Sequence, residues 1–327
     1  MRTLIDHLNI KLPIWNAGMG GGIAGSALVA AVSEARGFGV LGAGAMPAAQ
    51  VRAELTAIRA LTSRAFGANI ILPMSDGSDI EACFDARVPA LILFWGDPQP
   101  YVGDAHRRNM FVIAQCGDAA DAVAAADAGV DAVIMQGSEA GGHVRARAPL
   151  AETVRAAVRE LGSVPVIAAG GIATGGDIAE ALALGAVAVS LGTRFLASHE
   201  ALAHDDYKAR VLAASAADTV MTDLFDGGWP QAHHRVIRNR SYDEWERAGR
   251  PAPGQRPGEG EEIGRVGDGD ARIYLQRYSV MPPVRGFDGD LDLAALYAGE
   301  SVERIETLDG AADLVERLLT ELRAAVA

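Results

Sequence analysis

Residues 132–143 read Ala-Val-Ile-Met-Gln-Gly-Ser-Glu-Ala-Gly-Gly-His. The stretch begins with an apolar run typical of a buried strand and breaks into a glycine-rich loop that ends at His143. Parallel α/β proteins place ligands where buried strands run into such loops, since glycine lets backbone N–H groups come close to a ligand. A single histidine in a turn is more often a solvent-facing residue than a functional one, so the interpretation depends on the other strands.

Short apolar runs recur at a mean interval of roughly 25 residues, the length of one strand plus one helix. They begin near Ile14, Gly39, Phe66, Ala90, Phe111, Ala132, Val166 and Ala188. Ala-rich segments with helical periodicity lie between them, at residues 27–35, 48–61, 119–128, 151–161 and 177–184. Eight such units predict an α/β fold of the (β/α)8 TIM-barrel type. A doubly wound parallel sheet is the alternative, and the even spacing fits a closed barrel better.

Residues that commonly begin and end helices support these segments. Ser26, Asp118 and Thr174 stand where helix N-caps are expected, because their side chains can accept hydrogen bonds from free N–H groups. Gly129 and Gly185 stand where helices are expected to end, each just before the next apolar run.

Composition argues against several classes of protein. The net charge is −13, whereas nucleic-acid-binding proteins carry basic patches. Only Cys83 and Cys116 are cysteines, so we expect neither a disulfide framework nor a zinc site. Residues 12–33 lack charge but are interrupted by a proline and several glycines, so we expect no membrane span. Residues 1–6 lack the apolar core of a signal peptide, and we expect a cytoplasmic protein.

Small and amide residues follow the predicted strands, on the side where barrel active sites form. Residues 16–22 read Asn-Ala-Gly-Met-Gly-Gly-Gly after the first strand. Asn69, Gln115 and Gln136 end the third, fifth and sixth strands. Such amides can pair with the donors and acceptors of a flavin ring without bringing charge. The alternative for each amide is that it holds neighbouring backbone in place.

The loops after the seventh and eighth strands are suited to a phosphate group, which barrels often bind there. They supply backbone donors and one hydroxyl from Gly170, Gly171, Gly192 and Thr193. Arg194 could add positive charge to this site, or it could be a surface or helix-dipole residue.

Beyond the eighth strand the regular alternation ends. We expect a helix at residues 198–216, with His199 and His204 as surface or cap residues, and a strand at residues 218–222. Residues 226–272 are rich in Gly, Pro and charge, which predicts an excursion over the barrel mouth and in part a mobile lid. His233 and His234 give a weak metal signal, and an exposed loop pair is the favoured interpretation.

The last part of the chain is expected to return to the barrel. Residues 278–283 form an apolar segment that could roof the ligand pocket. A terminal helix at residues 311–327 should pack one face onto the barrel, through Leu314, Leu318, Leu322 and Val326. The expected division is a cofactor-binding barrel at 1–215, a lid or substrate-covering segment at 216–295, and a return with a packing helix at 296–327.

Three motifs, at residues 136–143, 168–172 and 191–195, together resemble those of the nitronate monooxygenase family. This family was formerly called 2-nitropropane dioxygenases, and it also includes flavin-dependent enoyl-ACP reductases and NADH:quinone reductases. Ala17 and Met19 match the first-strand motif of the family. The resemblance runs from Pro13 to about residue 225 and resumes at residues 296–302.

The resemblance implies a TIM barrel that binds FMN. Gly170, Gly171, Gly192 and Thr193 would hold the FMN phosphate. The isoalloxazine ring and ribityl chain would be lined by Ala17, Gly18, Met19, Asn69, Gln115, Gln136 and Gly141. His143 matches the family histidine near the reactive edge of the flavin. No metal site is implied.

Four positions depart from the family pattern. The family usually has Pro at Gly18, often has Gln at Asn16, and commonly has a small basic-glycine pair at Val144-Arg145. Residues 226–290 match poorly. These departures leave the expected flavin unchanged and leave the substrate open.

The expected reaction is the FMN-dependent oxidation of alkyl nitronates, and of nitroalkanes as a further substrate class, with O2 to a carbonyl compound and nitrite. His143 would hold an anionic substrate if protonated, or remove an α-proton if neutral. The alternative is an NAD(P)H-dependent reductase acting on an enoyl thioester or a quinone. A flavin-binding protein without catalysis ranks last. The expected partners are a small-molecule substrate and O2 or NAD(P)H, with a homodimer left open.

Overall fold

Eight parallel strands form a barrel in the computed structural model, which describes residues 4–267, 269 and 272–327. The strands of the first two thirds of the chain are β1 (Ile14–Asn16), β2 (Gly39–Gly42), β3 (Phe66–Ile71), β4 (Ala90–Phe94), β5 (Phe111–Cys116), β6 (Ala132–Gln136), β7 (Gly142–His143), β8 (Val166–Ala169) and β9 (Ala188–Leu191). All except β7 pair in the order β1-β9-β8-β6-β5-β4-β3-β2. A parallel bridge between Trp15 and Phe38 joins β1 to β2. The predicted TIM barrel is confirmed, and its eight strands begin at the predicted residues.

Helices follow the barrel strands. The helices are α1 (Leu4–His7), α2 (Ser26–Glu34), α3 (Ala48–Leu61), α4 (Ser78–Ala86), α5 (Gln99–Arg107), α6 (Ala119–Asp127), α7 (Leu150–Leu161), α8 (Gly175–Ala183), α9 (Thr193–Leu196), α10 (Asp205–Ala213), α11 (Arg240–Arg247) and α12 (Ala311–Ala325). The five predicted barrel helices agree within two residues at each end. The predicted helix at residues 198–216 is wrong before Asp205, where His204 caps α10 by accepting from the N–H of Asp206.

Two of the three predicted N-caps are confirmed. Asp118 accepts a hydrogen bond from the N–H of Asp121 at 2.8 Å, and Thr174 forms a reciprocal capping box with Asp177. Ser26 is not a cap, because it is already the first residue of α2 and its N–H donates to Glu54 Oε2 at 2.7 Å. A tertiary partner therefore replaces local capping at that helix.

The C-terminal helix α12 packs against α8 and α2 and takes the place of an eighth outer helix, since α9 is a single turn. Its buried side chains are Ala311, Leu314, Val315, Leu318 and Leu322. The predicted contact of Val326 is wrong, because the helix ends at Ala325 and Val326 is 68% exposed. The approach to α8 is close: a Cβ at Gly175 would lie 2.2 Å from the backbone nitrogen of Leu322.

Two small antiparallel sheets lie outside the barrel. One has the order β10-β11-β7, with β10 (Thr219–Thr222) and β11 (His234–Ile237), and the other joins β12 (Glu262–Val266), β13 (Ile273–Gln276) and β14 (Asp288–Gly289). The strand predicted at residues 218–222 is thus confirmed. Residues 268, 270 and 271 of the expected covering segment lie outside the described residues, as do residues 1–3 of the stretch 1–6 that was examined for a signal peptide.

The expectation of an exposed His233-His234 pair is wrong for His234. His234 lies in β11 directly opposite His143 of β7, and its side chain is fully buried. Alternation along the strand turns His234 inward, whereas His233 is only half-buried. The described residues contain no group of three or more potential metal ligands. No helix among them is both long and apolar enough to cross a bilayer.

Candidate active site

The twelve site residues predicted from the sequence all line one cavity at the carboxyl ends of the barrel strands. They are Ala17, Gly18, Met19, Asn69, Gln115, Gln136, Gly141, His143, Gly170, Gly171, Gly192 and Thr193. Counted with its open mouth, the cavity contains about 1200 Å³ of empty space. Val280, Met281 and Pro282 line it, as expected for the 278–283 segment, and Trp229 lines it from the 226–272 stretch.

One end of the cavity presents unpaired backbone donors. Within the described residues, the N–H groups of Gly170, Gly171, Gly192 and Thr193 donate no hydrogen bond to the protein. Gly170 and Gly171 have φ angles of +108° and +71°, values that residues other than glycine adopt rarely. The Thr193 hydroxyl oxygen accepts from the N–H of Gly299 at 3.0 Å and can still donate its own proton. This set is suited to an anion.

Arg194 does not add charge to this donor set. Its side chain is 4% exposed and pairs with Asp309 at 2.5 Å, and it also donates to the carbonyl oxygen of Thr307. Arg194 thus joins α9 to the segment before α12. No lysine, arginine, aspartate or glutamate is among the described residues that line the cavity. An anion bound here would be held by dipoles instead of formal charges.

The three predicted amides have different surroundings. Gln136 is buried, and both polar atoms of its amide are bonded to the protein. It donates to the carbonyl oxygen of His143 and accepts from the N–H of Arg145, both at 2.9 Å. Asn69 uses its NH2 group on the carbonyl oxygen of Ile92 at 3.3 Å. The half-buried Gln115 amide makes no hydrogen bond within the described part of the chain. Gln115 is therefore the amide most available to a ligand, and Gln136 positions the histidine loop.

Two of the glycines are required by close packing. A Cβ at Gly18 would lie 2.3 Å from Cβ of Asn69, so the departure from the family's proline accompanies a tight contact between the first and third strand ends. A Cβ at Gly141 would lie 2.3 Å from the backbone nitrogen of Gly299. These positions shape the cavity wall through backbone packing.

His143 is enclosed by aromatic rings. The Trp229 ring stacks on it with a centroid distance of 4.1 Å and an interplanar angle of 23°. The rings of His234, Tyr297 and Trp95 follow at 5.2, 5.4 and 6.5 Å. The Nε2 atom of His143 is buried and has no hydrogen-bond partner in the described structure. Burial, and secondarily His234, lowers the pKa of His143 well below its usual value, so the imidazole is neutral.

Four aromatic residues that line the cavity were missed at the sequence level: Phe94, Tyr207, Trp229 and Tyr297. The Tyr207 hydroxyl donates to the carbonyl oxygen of Tyr297 at 2.5 Å, and the Tyr297 hydroxyl donates to that of Val280 at 2.8 Å. Burial raises the pKa of both phenols, so they stay protonated. The available signals were a tryptophan inside a Gly- and Pro-rich segment and a tyrosine inside a recognised motif.

The curated relatives of this chain are named for different activities. The chain is 35% identical to the Mycobacterium tuberculosis protein named (3aS,4S,5R,7aS)-5-hydroxy-7a-methyl-1-oxo-octahydro-1H-indene-4-carboxyl-CoA dehydrogenase, over 76% of this chain and 70% of the relative. It is 27% identical to a probable nitronate monooxygenase of Staphylococcus aureus, over 98% and 96% of the two chains.

Two solved structures are similar over nearly the whole length. FabK from Thermotoga maritima has a TM-score of 0.85 and 31% identity, and covers 100% of this chain and 97% of its own. The nitroalkane oxidase from Streptomyces ansochromogenes has a TM-score of 0.81 and 27% identity, with 99% of each chain covered. The family model for nitronate monooxygenase matches residues 2–90 and 77–321. The chain therefore belongs to the nitronate monooxygenase family and is an oxidoreductase.

Proposed function

We propose that this enzyme oxidises small nitro compounds with O2, using FMN, to a carbonyl compound and nitrite. The observation that carries the proposal is His143, a neutral imidazole that lines the cavity and whose buried Nε2 atom has no hydrogen-bond partner, while none of the described lining residues is charged. A general base must have a free nitrogen and be unprotonated at the working pH, and His143 meets both conditions. The family match and the nitroalkane oxidase likeness point to the same chemistry.

The cavity fits FMN. The unpaired N–H groups of Gly170, Gly171 and Gly192 and the Thr193 hydroxyl would hold the phosphate. A Cβ at Gly192 would have Ala17 as its nearest neighbour, at 3.8 Å, so glycine keeps this wall of the cavity clear. The Gln115 amide and the side-chain oxygen of Asn69 (Oδ1) suit the polar edge of a flavin ring. When bound, FMN would supply the electron transfer that side chains cannot provide.

The uncharged cavity favours a neutral nitroalkane as the molecule that enters. An anionic nitronate would lose hydration without meeting a cation, which is costly. Nε2 of His143 would take the α-proton, giving a nitronate beside the imidazolium that has just formed. The same histidine would then offset the negative charge. A preformed nitronate would bypass this proton transfer. The aromatic residues around His143 exclude water from the reacting carbon.

The alternative is an NAD(P)H-dependent reductase acting on an enoyl thioester or a quinone. Sequence identity favours it, since FabK and the CoA-thioester dehydrogenase are 31% and 35% identical to this chain, above the 27–29% of the nitro-compound enzymes. A reductase would also need NAD(P)H as a hydride donor in addition to its substrate, and His143 would protonate or orient the product. The two proposals differ in whether NAD(P)H reduces the flavin.

The deciding experiment measures O2 uptake and nitrite release with a nitroalkane, with propionate 3-nitronate and with NADH. We expect uptake with both nitro substrates and no flavin bleaching by NADH under anaerobic conditions. His143→Asn should lower the rate with the nitroalkane by about 10²–10⁴-fold, the usual contribution of a general base. The loss with the preformed nitronate should be smaller, and FMN should stay bound.

His233→Asn is the matched control, because His233 lies outside the cavity lining. Full nitroalkane turnover in His143→Asn would refute the base role. Bleaching by NADH without nitro turnover would support the reductase, and FMN binding without any turnover would support the non-catalytic alternative.

A further inference from the structure

His234 is a second buried histidine, and main-chain groups fix its proton. Its Nδ1 atom lies 2.8 Å from the carbonyl oxygen of Ala232, and its Nε2 atom lies 3.2 Å from the backbone nitrogen of Phe225. The Phe225 N–H can only donate, so Nε2 must accept. The proton is therefore on Nδ1 and is donated to Ala232. Both ring nitrogens are satisfied without water or a charged partner.

These two bonds join the ends of the loop formed by residues 225–232. The loop carries Trp229, whose ring stacks on His143 at 4.1 Å. Its outer side is held by the 278–280 segment, where the N–H of Gly227 donates to Tyr278 at 2.9 Å and the N–H of Val280 donates to Gly227 at 3.0 Å. On the inner side of the loop, the His234 side chain forms hydrogen bonds with both ends, at Phe225 and Ala232. His234 is thus one of the groups that hold the loop, together with Arg256, which pairs with Asp226 at 2.8 Å, and Trp95, whose ring lies 5.0 Å from that of Trp229.

His234 also faces the base itself. The two histidines are opposite each other in the β7–β11 pair, and their ring centroids are 5.2 Å apart. The phenol of Tyr297 is the other titratable group against His143, at 5.4 Å between rings. Asp223, Asp226 and His233 act electrostatically on His234, and the Tyr297 ring lies 5.7 Å from it. No carboxylate among the described residues forms an ion pair with either imidazole.

We propose that His234 is a positioning residue for the His143 base: its Nδ1–H tautomer joins residues 225 and 232 and so holds Trp229 on the face of His143. This inference rests on the proposed role of His143 as a base. It assigns a function to the second histidine of the His233-His234 pair, which neither cofactor binding nor substrate contact explains.

Three substitutions separate the two bonds. His234→Phe keeps most of the ring volume and removes both bonds. His234→Gln places an acceptor near the Phe225 N–H, and His234→Asn places a donor near the Ala232 carbonyl oxygen. His233→Asn is the control, because it changes the neighbouring histidine without touching either bond. Circular dichroism of each variant confirms that the barrel is folded.

The primary readout is NMR of the protein labelled with 15N-histidine, recorded from pH 5 to 9 without added substrate. We expect the wild-type His234 signal to report the Nδ1–H tautomer. All three His234 variants remove the electrostatic effect of His234 on His143, so each should raise the pKa of His143 to some extent. In His234→Phe, which also loses both bonds, the His143 ring should become hydrated and its pKa should rise further, towards the ordinary value. The Gln and Asn variants should give smaller rises, and His233→Asn should give none. Tryptophan fluorescence should shift to the red in the same order.

The second readout is the pH profile of kcat/KM with a nitroalkane. The acidic limb should move to higher pH in His234→Phe, and the rate at pH 7 should fall about 10–100-fold, as for a displaced base. An unchanged His143 titration in folded His234→Phe, or an Nε2–H tautomer in the wild type, would overturn the inference. If His234→Phe does not fold, the same criterion applies to the Gln and Asn variants. The NMR titration needs no turnover, so failure of the proposed reaction remains distinguishable.

Discussion

Gln136 and Gln115 are the same residue type at the ends of neighbouring strands, yet substituting them should change different properties of the protein: its stability in one case and its affinity for FMN in the other. Gln136→Leu removes the two 2.9 Å bonds to the carbonyl oxygen of His143 and the N–H of Arg145. Gln115→Leu removes no bond within the described structure. We expect the first change to destabilise the apoprotein and displace His143, and the second to weaken FMN binding alone.

The magnitude follows from the burial of Gln136, which is 3% exposed. Each backbone group left without a partner costs about 1–3 kcal/mol, so the two groups together cost about 2–6 kcal/mol. The buried leucine recovers part of this through its apolar surface. Turnover should fall by about 100-fold, because a base displaced by roughly 1 Å loses a factor of that order.

The assay is urea unfolding of the apoprotein at 25 °C, together with FMN titration followed by the quenching of flavin fluorescence. Gln136→Leu should lower the free energy of unfolding, and Gln115→Leu should leave it unchanged while raising the dissociation constant for FMN. Equal stability of the two variants, or loss of FMN affinity only in Gln136→Leu, would refute the assignment of one amide to the protein and the other to the ligand.

Two further predictions concern stability. Burial lowers the pKa of His234 in the folded protein to about 4. As pH falls, this histidine is therefore protonated in the unfolded chain before it is protonated in the folded protein. The contribution of His234 to the free energy of unfolding is fully present above about pH 6.5 and is lost towards pH 4, roughly 3 kcal/mol in all. Urea unfolding at several pH values should show a loss of stability towards pH 4 that is smaller by this amount in His234→Gln, where the lowered pKa of His143 still contributes. Leu318→Ala should cost about 2–5 kcal/mol by opening a cavity under α12, whereas Val326→Ala, at a residue 68% exposed, should leave the urea midpoint unchanged.

The barrel could be predicted because its strands are buried on both faces. Such strands are nearly continuous apolar runs, and glycines stand after them, so both their number and their first residues were visible in the sequence. Helix ends were less certain where they depend on distant partners. Ser26 is helical because Glu54 binds its N–H, and Val326 is exposed because α12 ends one residue earlier.

The site was predictable as a set of residues but not in the role of each. Glycines and amides at strand ends point into one cavity because parallel strands end on the same side of a barrel. Arg194 and Gln136 differ from expectation because their partners, Asp309 and the 143–145 backbone, are fixed only by the folded chain. The inward side of His234 depends on pairing with β7, about ninety residues earlier, and no local pattern records that pairing.

The eighth outer helix is supplied by α12, and this has a consequence for the order of synthesis. All eight barrel strands have been made by Leu191, but the helix that covers the flank between α8 and α2 begins only at Ala311. At a translation rate of about 5–20 residues per second, the flank stays uncovered for roughly 6–24 seconds. A ribosome stalled in this interval would present a nearly complete barrel with an open apolar side, which is a substrate for chaperones and a risk for aggregation.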